Sequence, residues 1–155
     1  SAEGLWPVRV STEPSFRVPA HHLPAVCFCN TLARYRGVQK LALTEPQAGS
    51  DAAALQARAK RVDSGYLISG TKQFITSGTI AGAVIVFAVT DPDAGKKGMS
   101  AFLVPAGTEG MRVSGIEHKL GQEASDTVQL SFENAFVPED HRLGEEGEGY
   151  RIALA

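Results

Sequence analysis

Thr44, Glu45, Pro46, Gln47, Ala48, Gly49, Ser50 and Asp51 form the stretch of this 155-residue chain that offers a ligand most. Pro46 and Gly49 impose turns after a strand that ends at Thr44, and Ser50-Asp51 stand in N-cap position ahead of a short helical run, Ala52-Ala53-Ala54-Leu55. Backbone N–H groups in such a turn converge, and they receive an anion or the polar edge of a ring without a cationic side chain. The same residues also describe an ordinary capped loop. A second stretch, Gly70-Thr71-Lys72-Gln73-Phe74-Ile75-Thr76-Ser77-Gly78, sets Phe74 and Thr76 two apart, on one face of a strand. An aromatic and a hydroxyl so placed suit a flat cofactor, the ring lying against it and the hydroxyl donating to its edge. A core Phe and a Thr present for strand propensity give the same pattern, so both readings stay open at this point.

Other clusters carry less. His21, His22, Cys27 and Cys29 match no usual zinc spacing and sit in a Pro-broken segment, so no metal site is expected. Gly144 to Gly149 has the glycine density of a phosphate loop but lacks the preceding strand and the Lys-Ser/Thr, and reads as a hinge. Glu139-Asp140 and Glu145-Glu146 read as a solvated turn. No nucleophile, base and orienter set can be assembled from the sequence around His118 or His141, so no catalytic residue is expected in this segment and the acid–base group belongs elsewhere.

The elements that must position these residues are short strands. Leu41 to Leu43 is one candidate; Ala57 to Val62 and Tyr66 to Ile68 flank a turn at Asp63-Ser64-Gly65 and predict a hairpin with a loop of about three residues. Lys72 to Thr76 follows a bend at Gly70. Ala83 to Thr90 is a continuous apolar run suited to a strand buried on both faces, and Asp91-Pro92-Asp93 end it. Ala101 to Val104, Arg112 to Ile116 and Val128 to Phe132 continue the series, the last alternating strictly. The expectation is an all-β, barrel-like domain of about seven or eight strands, with an irregular leader before it and a truncated helix after it.

Composition marks the boundaries. Residues 1 to 40 hold five basic and two acidic residues and four of the eight Pro, whereas the rest hold ten basic and 15 acidic ones, so the charge turns from positive to negative near residue 40. The leader is placed at 1–37, the β-domain at 38–143, and a hinge with the first turn of a missing helical bundle at 144–155. A formal charge of −2 gives no general field for nucleic acid or anionic lipid. No apolar run approaches the roughly 20 residues that span a bilayer, and two cysteines make no disulfide framework. A reducing compartment is expected, the cytoplasm.

In order and spacing, Leu41-Ala-Leu-Thr-Glu-Pro-Gln-Ala-Gly-Ser-Asp51, Gly70-Thr-Lys-Gln-Phe-Ile-Thr76, Ser100-Ala-Phe-Leu-Val-Pro105, Lys119-Leu-Gly-Gln-Glu-Ala-Ser-Asp-Thr127 and Val137-Pro138 followed by Leu143-Gly-Glu-Glu-Gly147 resemble the acyl-CoA dehydrogenase family. The resemblance covers about residues 38 to 155 and corresponds to the family's middle β-domain and the start of its C-terminal bundle. It implies FAD as cofactor and an acyl-CoA as substrate, with α,β-desaturation in fatty acid metabolism, electron-transfer flavoprotein as oxidant and a homo-oligomeric parent enzyme. It further implies that Leu41, Leu43 and Thr44 meet the flavin, that Ser50 lies near the FAD pyrophosphate and the substrate, and that Phe74, Ile75 and Thr76 cover the ring. Lys96 falls where the family contacts CoA.

The chain departs from the family pattern at three places. Phe74 stands where a Trp is common, Glu123 stands where a basic residue is common, and residues 1–37 do not resemble the family's N-terminal helices. On this reading the chain supplies flavin and CoA contacts but not the carboxylate base, and is inactive alone. Two other readings remain: a non-catalytic β-module that binds CoA or a protein, and a fragment of an acyl-CoA oxidase.

Overall fold

The computed structural model describes residues 38–154, so the leader and the His21, His22, Cys27 and Cys29 group lie outside the described residues. Eight strands follow in order: β1 (Val38–Ala42), β2 (Arg58–Val62), β3 (Gly65–Thr76), β4 (Ala81–Val89), β5 (Met99–Pro105), β6 (Met111–Ile116), β7 (Thr127–Pro138) and β8 (Arg142–Leu143). A short helix, α1 (Gly149–Ala153), closes the described part. The strands form one open sheet in the order β6-β7-β3-β2-β4-β5-β8, with β1 parallel to β4 off that path. The domain is all-β with the expected number of strands.

The apolar run of β4 is buried on both sides, as its composition requires. Val84, Val86 and Ala88 face one core with Phe102 and Val104 of β5, while Ala83, Ile85 and Phe87 face a second with Met99, Ala101 and Leu103. The second core is covered by Ala48 and Leu55 of the loop after β1 and by Tyr150, Ile152 and Ala153 of α1. The first is closed by the sheet itself. Tyr66 of β3 and Phe102 of β5 have ring centroids 4.8 Å apart, although β2 and β4 intervene in the sheet order. A flat sheet with strands about 4.8 Å apart would separate them by roughly 14 Å. The crease is the β2–β4 contact, a single pair, Arg58 with Val89, where β1 and β2 share one edge of β4.

Two local expectations change. The hairpin turn is Asp63-Ser64 alone, because Gly65 already pairs with Val62 inside the ladder. A Cβ on Gly65 would lie 2.2 Å from the Val137 carbonyl oxygen, so glycine here serves the close approach of β7. Lys72 to Thr76 is not a separate strand but the end of β3, whose pairing with β7 shifts at Gly70 and again between Lys72 and Ile75. The two-residue β8 was not foreseen.

The acidic turns are exposed but partnered. Glu139 and Glu146 accept from Arg61 at 2.7 and 3.0 Å, and the buried Tyr66 hydroxyl donates to Glu146 at 3.0 Å while accepting from Arg142 at 3.2 Å. The expected hinge is a bonded turn at Gly147, whose N–H donates to the Ser100 hydroxyl at 2.9 Å.

Candidate functional site

The inward face of β3 runs through Tyr66, Ile68 and Lys72, all buried, and strict alternation would put Phe74 inward as well. The structure interrupts the alternation. Between the Lys72–Leu130 and Ile75–Val128 pairs, two residues of β3, Gln73 and Phe74, stand opposite one residue of β7, Gln129. Phe74 takes a left-handed conformation, with φ at 59°, which a residue with a Cβ adopts only when its surroundings hold it there. Beyond this bulge the parity reverses: Ile75 is buried in the first core, while Phe74, 58% exposed, and Thr76 turn outward. The core reading of Phe74 is thereby excluded. Both side chains are exposed, and the Ile75 side chain between them is buried.

The loop after β1 is fastened beside this bulge. Gln73 N–H donates to the Thr44 carbonyl at 2.8 Å, and Lys72 Nζ donates to the Leu43 carbonyl at 3.1 Å and to Glu45 Oε1 at 2.7 Å. Glu45 and Lys72 are 3% and 0% exposed. Glu45 also accepts from the Gln56 N–H at 2.7 Å, the Ala57 N–H at 3.1 Å and the Gln47 side-chain amide at 2.5 Å. Burial pushes the Glu45 carboxyl upward, but the Lys72 hydrogen bond and charge and the two amides outweigh it and hold the group below its ordinary value. Burial draws the Lys72 ammonium down, against the opposing pull of Glu45.

Glu45 and Lys72 are not among the residues expected to act together from the sequence. A signal was present: alternation from Tyr66 and Ile68 assigns Lys72 an inward place, and an inward lysine requires a buried acceptor.

Because the Glu45 carboxyl is depressed in the folded state, its contribution to stability is complete above the unfolded value of about 4.5 and is lost as pH falls through the folded value. Thermal unfolding followed across this acid range should show stability falling below about pH 4.5, and Glu45→Gln should flatten that slope. An acid slope unaltered by the substitution would assign the effect to other carboxylates.

The other expected positions divide into two groups. Leu43 and Thr44, half-buried, and Leu41, 50% exposed, lie on or just after β1, and Thr44 meets the β3 bulge. Ser50 is exposed at the tip of the loop, where Asp51 caps the turn Ala52–Ala54 by accepting from the Ala53 N–H at 3.0 Å. Several amides expected to converge there are used internally: Glu45 and Ala48 bond each other at 3.0 and 3.1 Å, and Ala54 bonds Asp51 at 3.1 Å. Lys96 belongs to a separate group on the turn Pro92–Gly98, with its ammonium 4.9 Å from the centre of the Tyr150 ring. Glu123 is exposed on the loop between β6 and β7, beside His118 and Lys119.

Residues 40–135 match the model of the acyl-CoA dehydrogenase middle domain. An acyl-CoA dehydrogenase of Bacillus subtilis is 49% identical over 114 residues, 74% of this chain and 30% of that protein. The mitochondrial 2-methylacyl-CoA dehydrogenase of Solanum tuberosum is 44% identical over 115 residues, 74% of this chain and 28% of that protein. Butyryl-CoA dehydrogenase from Megasphaera elsdenii superposes with a TM-score of 0.77 at 40% identity, covering 83% of this chain and 34% of that one. The chain thus spans about a third or less of the proteins it matches.

Proposed function

The chain belongs to the acyl-CoA dehydrogenase family, as its middle domain, and from that premise we propose that it forms one wall of an FAD and acyl-CoA site in a larger dehydrogenase. The observation that carries the reading is the bulge at Gln73–Phe74, which turns an aromatic face and the Thr76 hydroxyl outward beside Thr44. These residues fit a flat ring with a polar edge: Phe74 offers an uncovered apolar face, Thr76 and Thr44 offer hydroxyls, and Leu41 extends the apolar surface. FAD, when bound, supplies the hydride acceptor for desaturation. Phe74 covers the ring and excludes water, Thr76 donates to its edge, and Leu43 and Thr44 line its pyrimidine side. Ile75 contributes through its backbone, since its side chain is buried. Ser50 serves the pyrophosphate and the substrate, and Lys96 the CoA moiety.

Glu45 is not the base. Its carboxylate is buried, ionised and saturated by Lys72 and by amides, whereas a general base needs access to the α-carbon proton and a matched pKa. We assign the base to the remainder of the protein, together with the contacts that complete a homo-oligomer. Electron-transfer flavoprotein is proposed as the oxidant, and the cytoplasm, or the matrix in a eukaryote, as the compartment. The protein expressed with the flanking sequence of its gene should purify with FAD and reduce a dye on addition of an acyl-CoA. A colourless protein inert to acyl-CoA would overturn the reading, and peroxide release in air would convert it to an oxidase.

In that protein, Thr76→Val keeps the shape and strand propensity and removes the donor. A hydrogen bond that strengthens as charge develops in the transition state is lost mainly from turnover. The expected result is acyl-CoA-driven dye reduction slower by about one to two powers of ten, with FAD content unchanged. An unchanged rate at full FAD occupancy would leave Thr76 with no part beyond its backbone.

A further inference from the structure

We infer that the buried Glu45–Lys72 pair is a positioning device for the outward ridge, fixing the bulge that turns Phe74 toward its ligand. This rests on the flavin reading of that ridge, and the experiment below separates the two. Lys72 immediately precedes the bulge, and its one ammonium holds the chain on both sides of Thr44, through the Leu43 carbonyl and the Glu45 carboxylate. The next residue, Gln73, donates to the Thr44 carbonyl between them. Residues 43, 44 and 45 are therefore tied in succession to residues 72 and 73, and Phe74 follows in its left-handed conformation.

The other side of the carboxylate extends the frame. The Gln56 and Ala57 amides bind it just before β2 begins, so Glu45 joins the loop after β1, the entry to β2 and the end of β3 at one point. A buried ion pair is weak evidence for stability, because desolvation offsets most of its attraction and apolar groups of similar volume do as well or better. What apolar groups cannot supply is direction. Fixed donors and acceptors define one distance between Thr44 and Gln73, and the two-against-one bulge keeps Phe74 outward only at that distance.

The test uses the protein encoded by the complete gene, with the double variant Glu45→Gln/Lys72→Met, which removes both charges while nearly keeping volume. Two readouts are taken: crystal structures of the FAD-free wild type and variant, and the absorption and fluorescence of flavin in the FAD-loaded forms. The expected result is loss of the left-handed Phe74 conformation and of the Gln73–Thr44 bond in the FAD-free variant, with a shifted and less quenched flavin spectrum in the loaded one. Turnover should fall tenfold or more, with a smaller change in KM for acyl-CoA. A variant that keeps the bulge overturns the inference. If the bulge is lost but the flavin spectrum is unmoved, the assignment of flavin to Phe74 fails while the pair's control of the bulge stands. Should the double variant not fold, Glu45→Asp keeps the charge and shortens its reach, and the same two readouts decide.

Discussion

Given FAD, an acyl-CoA and an electron-accepting dye, the purified 155-residue chain is expected to reduce the dye at least about 10²–10⁴-fold more slowly than an intact family enzyme, which is what general-base catalysis typically supplies. The buried carboxylate among the described residues is Glu45, and it is held in a frame rather than offered to a substrate. The ridge at Phe74 and Thr76 faces outward, so any ring lying on it has its opposite face in water. Both proton abstraction and hydride transfer need a dry, preorganised enclosure, and its absence adds to the loss. Turnover close to that of intact enzymes would place a base on this chain. The first carboxylate to replace would then be Glu117, which accepts from the Gln73 side chain at 3.1 Å, beside the bulge.

Phe102→Ala should destabilise the domain by about 3–5 kcal/mol, the range for a large aromatic removed from a packed interior. Phe102 is fully buried on β5 and lies against Tyr66, which belongs to the other half of the curled sheet. The void cannot close easily. Tyr66 is held at its hydroxyl by Glu146 and Arg142, so it is not free to follow the missing ring. Urea unfolding measures the loss, with Val113→Ala on the exposed face of β6 as a control expected within about 0.5 kcal/mol. A Phe102→Ala loss below about 1 kcal/mol, against the larger expected range, would mean that the two halves of the sheet do not share one core.

Strands were legible where the pattern is local. Ala83 to Thr90 reads as a strand covered on both sides from composition alone, and β4 has a core on each face. The capped turn after Asp51 was equally readable, since an Asx cap needs only its own neighbours. Phe74 and Thr76 are both exposed, although alternation counted from Tyr66 would have turned Phe74 inward. What decides that point is a residue absent from β7 opposite Gln73 and Phe74, a fact about a partner more than 50 positions away. The Glu45–Lys72 pair spans 27 positions and the curl of the sheet is set by contacts between halves, so neither can be seen in a window of one strand. Gly65 shows the same limit in miniature, being read as a turn residue when its small size serves β7.

The pairing of β3 with β7 bears on how the domain comes into being on the ribosome. Its register runs from Gly65 with Pro138 to Thr76 with Thr127, so β3 must await a partner made at least 50 residues later. At about 5–20 residues per second, that interval is roughly three to ten seconds. Tyr66 and Ile68 meanwhile have no Leu130 or Phe132 to cover them, and closing so long a loop is entropically unfavourable until the partner arrives. Newly made β3 therefore presents uncovered apolar side chains until β7 emerges, a segment of the kind that chaperones shield.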